Sequence, residues 1–470
     1  MSAPYERLSA QDSSFVMFEG PGTHMHVATV GTFETGPLVD AGGGLDVERL
    51  RRYVDARLDA FPRYRQRLAF TPVQRHPVWV DDERFNLQYH VRHTALPAPG
   101  SEEQLKALAG RILSQQLDRA KPLWEMWFVE GLTGGRFAML TKVHHCMVDG
   151  AAGVELLTGL LSASPEPGPV EPSRWQPRPT PGGVELLRDE LGRVLATPLS
   201  LARATRSALD RPQTASESLL RGADAVWQAL SAGFRLPSAT LLNRPIGTHR
   251  RVEWRTLPLD AVKEVKKRLD GTVNDVVLAV VTGALRRFFR SRRTPLRGLD
   301  FRVVVPVNMR SGPRDAAAGN RVSALFLSLP LDEPDPARRF RRIRDASLRL
   351  KRSRTAEGFD LLTRFADWTG SDLLTYWGTR LASSVRPYNM IVTNVPGPQF
   401  PLYLLGARQQ AIHPFLPLFV NQGAGVAVMS YLGSVCFGLI GDWDLVPDLP
   451  ALAGFVDEAF AELREAASGA

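Results

Sequence analysis

One run of the chain carries titratable residues at a spacing that suits group transfer: His144-His145-Cys146-Met147-Val148-Asp149-Gly150. Imidazole has an unperturbed pKa of about 6.5, so its neutral form accepts a proton near pH 7. The pair follows Phe137 to Val143, a bulky apolar segment that reads as a buried strand. Neighbouring side chains on a strand point to opposite faces. One histidine therefore faces a cavity and the other the core or the backbone, a poor arrangement for ligating one metal. A zinc site of the His-Glu-x-x-His type needs both histidines on one helix face. That spacing is absent, and no metal is expected. Asp149 stands where the cap of a helix over Ala151 to Leu161 belongs. It reads as an N-cap worth about 1 kcal/mol, and also as the residue that fixes the turn and so holds the His145 imidazole. Gly150 and Gly153 let chain and ligand approach closely at the helix start. Cys146 reads as a small buried residue, since adjacent side chains at a strand end diverge.

Strand and helix patterns alternate around this run. His26 to Phe33, Pro77 to Val80, Leu87 to Val91 and Leu123 to Val129 read as extended. Val47 to Phe61 is amphipathic at helical spacing. Ser101 to Leu117 reads as a helix with a capping box, Ser101 with Gln104. Seven prolines between Pro165 and Pro181 exclude helix and central strand and predict an inter-domain linker. Two amphipathic helices follow, Val184 to Leu209 and Leu219 to Phe234. From His249 the alternation resumes: strands at Arg251 to Leu257, Phe301 to Val307, Val322 to Leu329 and Tyr388 to Val395; helices at Asp260 to Leu269, Val276 to Phe289, Phe359 to Leu381 and Ala451 to Glu465. The expected organisation is an α/β chain in three parts: 1–164, a connecting region 165–248, and 249–470.

The 470 residues carry a net charge of +9. Such a balance favours anionic partners. Most of it lies between Arg338 and Arg354, where eight arginines and Lys351 face Asp345 alone. Phe340, Ile343, Ser347 and Leu350 recur there at helical spacing. The segment is a basic amphipathic helix, read either as a solvated face or as a membrane- or phosphate-binding one. No nucleic-acid-binding module is recognisable, and none is expected as a partner. Two cysteines suit a reducing compartment, and the first twenty residues do not form a signal peptide. The expected location is cytoplasmic. Gln409 to Gly441 lacks any charge, but its prolines and glycines argue against a membrane span. Its end reads as two strands, Val426 to Leu432 and Val435 to Ile440. No Gly-x-Ser-x-Gly elbow, P-loop or Rossmann glycine pattern is present.

The run at 144–150 resembles the His-His-x-x-x-Asp-Gly motif of the coenzyme-A-dependent acyltransferase superfamily. Other segments narrow the resemblance: Leu8-Ser9-Ala10 with Asp12, Phe15 and Glu19; Met25-His26-Val27; Pro122-Leu123-Trp124-Glu125; Val273-Asn274-Asp275-Val276; Pro306-Val307-Asn308-Met309-Arg310; and Thr393-Asn394-Val395-Pro396-Gly397-Pro398. In this order, from residue 8 to about 445, they resemble the bacterial wax ester synthase/diacylglycerol acyltransferase family. The resemblance implies two chloramphenicol-acetyltransferase-like domains forming a pseudo-dimer, with an active-site channel between them. It implies transfer of a long-chain acyl group from acyl-CoA, a substrate rather than a cofactor, to diacylglycerol or a fatty alcohol. It also implies work at a membrane or lipid-droplet surface. Carried over residue by residue, His145 is the general base, His144 a supporting residue, and Asp149 structural.

The tetrahedral oxyanion of such a reaction needs donors. Asn274 is the candidate, with Thr393 or Asn394 behind it. Asn274 also reads as a helix cap, and Asn394 as a turn residue. Trp124 reads as a core or channel-wall residue and Glu125 as the partner of an arginine. Arg286, Arg287, Arg290, Arg292 and Arg293 read either as cations for the coenzyme's phosphates or as favourable charges at a helix C-terminus. Two other readings stay open: a condensation-type enzyme using carrier-protein thioesters, and a non-catalytic lipid-binding protein of the same fold.

Overall fold

A computed structural model describes residues 5–147, 159–166, 168–169, 171–193, 236–308, 322–352 and 388–469. In chain order its elements are β1 (Glu6–Arg7), α1 (Ala10–Phe18), β2 (His26–Glu34), α2 (Val47–Leu58), β3 (Gln66–Phe70), β4 (Pro77–Asp81), α3 (Leu87–His90), β5 (Val91–Ala95), α4 (Glu102–Leu113), β6 (Trp124–Leu132) and β7 (Arg136–His144). A helix at 183–193, here α5, follows. Then come β8 (Arg250–Pro258), α6 (Leu259–Arg268), α7 (Val273–Ser291), β9 (Phe301–Asn308), β10 (Val322–Leu329), α8 (Pro336–Arg352), β11 (Met390–Val395), β12 (Tyr403–Leu404), β13 (Ala407–Phe415), β14 (Ala424–Tyr431), β15 (Ser434–Asp442) and α9 (Leu449–Ser468).

Two six-stranded sheets carry the fold. One runs β12-β13-β2-β7-β6-β5 and the other β10-β9-β11-β14-β15-β8; β1, β4 and β3 form a small third sheet. The second sheet packs under α6, α7, α8 and α9 around a large apolar core. Within it α7 is buried almost all round from Val276 to Leu285, which is why its sequence reads apolar rather than amphipathic. Its start is set by a capping box between Thr272 and Asp275. The capping box expected at Ser101 and Gln104 is also present.

Several sequence expectations are corrected. Leu87 to His90 is a helical turn, capped by the Asn86 side chain, and the strand begins only at Val91. The first sheet gains β12 and β13 from beyond residue 400. Pro414 sits inside β13, opposite Thr29. A proline is tolerated there because β12 pairs only with Arg408 and Ala407, leaving that edge of β13 open where an N–H is missing. The two sheets meet across this strand. A Cβ on Gly438 of β15 would lie 1.7 Å from the Pro414 carbonyl, so only glycine allows the approach. Trp254 of β8 stacks on His413 of β13 at 5.1 Å.

The proline-rich segment is pinned rather than loose in its described part. The backbone N–H of Arg174 and the Ser173 hydroxyl both donate to Asp59. Arg178 holds Asp81 through both its backbone and its guanidinium. On α5, the Glu190 carboxylate accepts from Thr71, Val73 and Gln74 of the β3–β4 hairpin. Thus charged side chains strap 173–190 to the first half of the chain.

The basic helix α8 is less free than its own composition implies. Arg338 and Arg342 pair with Asp332, Glu333 or Asp335; Arg344 with Asp270 and Asp345; and buried Arg339 with Glu462 of α9. The compensating acids come mostly from other elements, where sequence counting within the helix does not see them. The arginines ending α7 are partly absorbed in the same way. Arg287 pairs with Glu458 and Glu462, Arg292 with Asp448, and Arg286 donates to the Leu331 carbonyl. The sequence regions expected as helices at 219–234 and 359–381 lie outside the described residues.

Candidate active site around His144 and His145

β7 ends at His144, and His145 to Met147 form a tight 3-10 turn. The backbone N–H of His144 donates to the Leu123 carbonyl at 2.9 Å, and that of His145 to the Met25 carbonyl at 2.7 Å. These two bonds join Met25-His26-Val27 and Pro122-Leu123-Trp124-Glu125 to the histidine pair: the three segments close one corner. The side chains of the pair diverge, as expected, though the turn rather than strand pleating separates them. His145 is half-buried and stacks on Phe15 of α1, ring centroids 3.9 Å apart and planes 25° apart. Its Nδ1 is buried without a hydrogen-bond partner among the described residues. Burial pushes its pKa down to about 4, with its own backbone carbonyl opposing. The ring is therefore neutral at pH 7.

His144 turns the other way, into a buried polar cluster. It pairs across the sheet with His26. Its Nδ1 accepts from the Cys146 backbone N–H at 3.2 Å and lies 2.9 Å from the Cys146 sulfur. Cys146 is buried as expected, but it is a neighbour of His144 rather than a passive filler. Burial raises its thiol pKa well above the ordinary value, so it stays protonated. The other side of the ring faces Glu19, whose carboxylate sits 3.7 Å from His144 Nε2 and 3.5 Å from His26 Nε2. Arg119 closes the cluster, its Nη2 2.7 Å and its Nε 2.8 Å from Glu19 Oε2. Burial alone would raise the Glu19 pKa; His26, His144 and Arg119 outweigh it and hold the carboxyl down to about 2. Burial lowers His144 to about 3 and His26 to about 4, against the pull of Glu19. At neutral pH the cluster is one carboxylate, one guanidinium and two neutral imidazoles.

Beneath it lies a second buried ionic group. Lys142 is fully buried, 3.3 Å from Glu125, and donates to the carbonyls of Ile112 and Gln115. Glu125 also takes Arg92 at 3.1 Å, the arginine partner that the sequence implied. Trp124 is a core residue, its indole N–H donating to the Tyr64 carbonyl at 2.7 Å and its ring stacked on His90.

Asn274 lies in the first turn of α7, half-buried. The cap there is Thr272, so the capping reading of Asn274 is overturned. No hydrogen bond or ring contact joins Asn274 to His144 or His145 among the described residues. Asp149 and Gly150 lie outside the described residues. Val395 and Met429, at the ends of β11 and β14, belong to the same apolar cluster as Cys146 and Met147, which brings the second half of the chain against the motif. Phe15, Glu19, His26 and Arg119 were absent from the candidate site residues. For Phe15, Glu19 and His26 the available signal was their place in the collinear segments; nothing local marked Arg119, and only the pairing of β2 with β7 sets His26 beside His144.

The buried histidines make a prediction about acid stability. His24, His26, His90, His144, His145 and His413 all have lowered pKa values, burial being the largest cause in each. Unfolded, they titrate near 6.5. Between that value and about 4 the unfolded chain binds more protons, so stability falls as pH drops through the window. Glu19 adds stability that is present above its ordinary 4.5 and is lost as pH falls toward 2. The thermal midpoint, followed by circular dichroism from pH 8 to pH 4.5, is expected to decline below about 6.5. A flat or rising profile would contradict the buried, neutral state of these rings.

Residues 8–277 match the model of the wax ester synthase/diacylglycerol acyltransferase catalytic domain, and residues 318–464 that of the family's C-terminal domain. A protein of Mycobacterium tuberculosis assigned as a diacylglycerol O-acyltransferase is 35% identical over 98% of this chain and 91% of its own. A second from that species is 32% identical over 97% and 95%. Among solved structures, the wax ester synthase/diacylglycerol acyltransferase of Marinobacter aquaeolei VT8 superposes with a TM-score of 0.70 at 25% identity, covering 98% of this chain and all of that one. The first condensation domain of the CDA synthetase shares the fold, with a TM-score of 0.59 at 17% identity over 99% and 98%. With both family domains matched in order across a two-sheet α/β fold, the chain belongs to the wax ester synthase/diacylglycerol acyltransferase family and is an acyl-CoA-dependent acyltransferase.

Proposed function

We propose that the chain moves a long-chain fatty acyl group from acyl-CoA to the hydroxyl of a diacylglycerol or a fatty alcohol, giving triacylglycerol or wax ester, with His145 as general base. The observation that carries this reading is the His145 ring: neutral at pH 7, half-buried, anchored through its backbone and stacked on Phe15. With Nδ1 enclosed, Nε2 is the nitrogen that accepts the hydroxyl proton as the acceptor oxygen attacks the thioester carbonyl. The tetrahedral intermediate then collapses, the C–S bond breaks, and the leaving thiolate takes the proton back from the imidazolium. Ester and free CoA result, without an acyl-enzyme and without a cofactor. Asn274 is the proposed oxyanion donor. Its support is a half-buried amide without a partner among the described residues, in the first turn of a helix, where backbone dipoles favour negative charge. His144 supports the turn through Cys146.

The acceptor classes rest on the names borne by the relatives, diacylglycerol O-acyltransferase and wax ester synthase. Such acceptors partition into bilayers and lipid droplets, so the proposal includes work at a lipid surface. No helix among the described residues is long and apolar enough to cross a membrane. The test is release of free thiol from palmitoyl-CoA with 1-hexadecanol, with 1,2-dioleoylglycerol, or with neither. Both cysteines of the chain are buried, so a thiol reagent applied to the folded protein reads CoA. Release is expected only with an acceptor present. Release no greater than the acceptor-free control with both acceptors would overturn the proposal.

A further inference from the structure

Histidines that act as bases are usually steered through their second ring nitrogen, by a carboxylate or a carbonyl. Among the described residues His145 has no such partner beyond its own backbone, and Nδ1 is buried. Its described anchors are the backbone bond to Met25 and the flat face of Phe15. The orientation of the imidazole therefore depends on where α1 holds Phe15.

That helix is clamped at its C-terminal end. Arg119 Nη2 donates to the Val16 carbonyl at 2.8 Å, one residue after Phe15, and Arg119 Nε donates to Glu19, the residue that ends the helix. The Glu19 side chain is 1% exposed; its Oε2 is held by Arg119, and its Oε1 lies 3.5 Å from His26 Nε2 without a hydrogen-bond partner among the described residues. The Arg119 side chain is 38% exposed, but without it the Glu19 carboxylate is left buried and unpaired, which is costly. So α1 neither slides nor rolls without breaking the pair, and Phe15 moves with it. We propose that Glu19 and Arg119 are positioning residues for His145, acting through α1 and Phe15. This rests on the reading of His145 as the base.

A displacement of about 1 Å in a reacting geometry lowers rates by roughly a hundredfold. Arg119→Met is therefore expected to lower kcat by about ten- to a hundredfold while changing KM for palmitoyl-CoA and hexadecanol by no more than about twofold. Arg119→Lys, which keeps the charge, is expected to recover part of the loss. Phe15→Leu should lower kcat similarly. The decisive measurement is the cycle of Arg119→Met with Phe15→Leu. If Arg119 acts through Phe15, the double variant is no slower than the slower single one. Fully additive losses, or a rise in KM at unchanged kcat, would overturn the proposal.

A second readout does not depend on catalysis. In protein labelled at histidine Cε1, the His145 resonance is identified by its loss in His145→Ala. Stacking on Phe15 shifts it, Phe15→Leu removes that shift, and Arg119→Met is expected to remove part of it. An unmoved resonance in Arg119→Met sinks the proposal. If Arg119→Met fails to fold, Glu19→Gln with Arg119→Met leaves no unpaired charge in the cluster and carries the same measurements. Should His145→Ala keep its activity, the base assignment fails, while the resonance still decides whether the ion pair positions the ring.

Discussion

His145→Ala is expected to lower kcat for CoA release from palmitoyl-CoA and hexadecanol by about 10²–10⁴-fold, the usual contribution of a positioned general base. KM for either substrate should change little, because the imidazole works on the proton in flight rather than on ground-state binding. The substitution removes a half-buried ring whose Nδ1 has no hydrogen-bond partner among the described residues, so circular dichroism and the cooperative thermal transition are expected to persist. His144→Ala should behave differently. It leaves Glu19 with Arg119 but strips the Cys146 N–H of its acceptor, and it loosens the turn rather than deleting the base. Its loss should show in thermal stability as well as in kcat. Near wild-type turnover by His145→Ala would end the proposed mechanism, whatever His144→Ala does.

Glu125→Leu is expected to be the most destabilising of the single changes considered. It leaves the Lys142 ammonium buried without its carboxylate, held only by the carbonyls of Ile112 and Gln115. Removing one member of a buried pair typically destabilises by about 3–5 kcal/mol. Burial already lowers the Lys142 pKa, and Glu125 opposes that. Without Glu125 that opposition is lost and the Lys142 pKa falls further. The double variant Glu125→Leu with Lys142→Met is expected to regain most of the loss, since an apolar pair of similar volume removes both desolvation penalties. Urea unfolding of the three proteins measures this. A single variant as stable as wild type, or a double variant no better than the single, would refute the account. Function follows stability here, because Lys142 fastens the end of α4, and the chain beyond it carries Leu117 to His26 and Arg119 to Glu19.

Much of this protein was legible in local pattern. Helix starts at Ser101 and strands such as His26 to Phe33 follow from spacing over a few residues, because capping and alternation are settled within a turn or a pleat. The histidine pair was legible for the same reason: its residue types and its place after an apolar strand are local facts. What local pattern missed has a common cause. Leu87 to His90 looked extended from its apolar and aromatic residues, yet Asn86 caps a turn there. β13 was unread because a strand containing Pro414 is tolerated only at an edge, and which edge is open depends on β12 and β2.

The available chemistry is written in residue order: an imidazole pair at a strand end, its collinear companion motifs and an α/β alternation in both halves. How that chemistry is supported depends on packing between distant segments. Such packing brought Arg119 onto the buried Glu19 carboxylate, a hundred residues away, beside His26 and His144. It matched the arginines of α8 with acids from elsewhere. The physical reason is that side-chain identity and backbone period act over a few residues. Burial of charge is set by which distant segments share the same low-dielectric space, and no spacing rule encodes that.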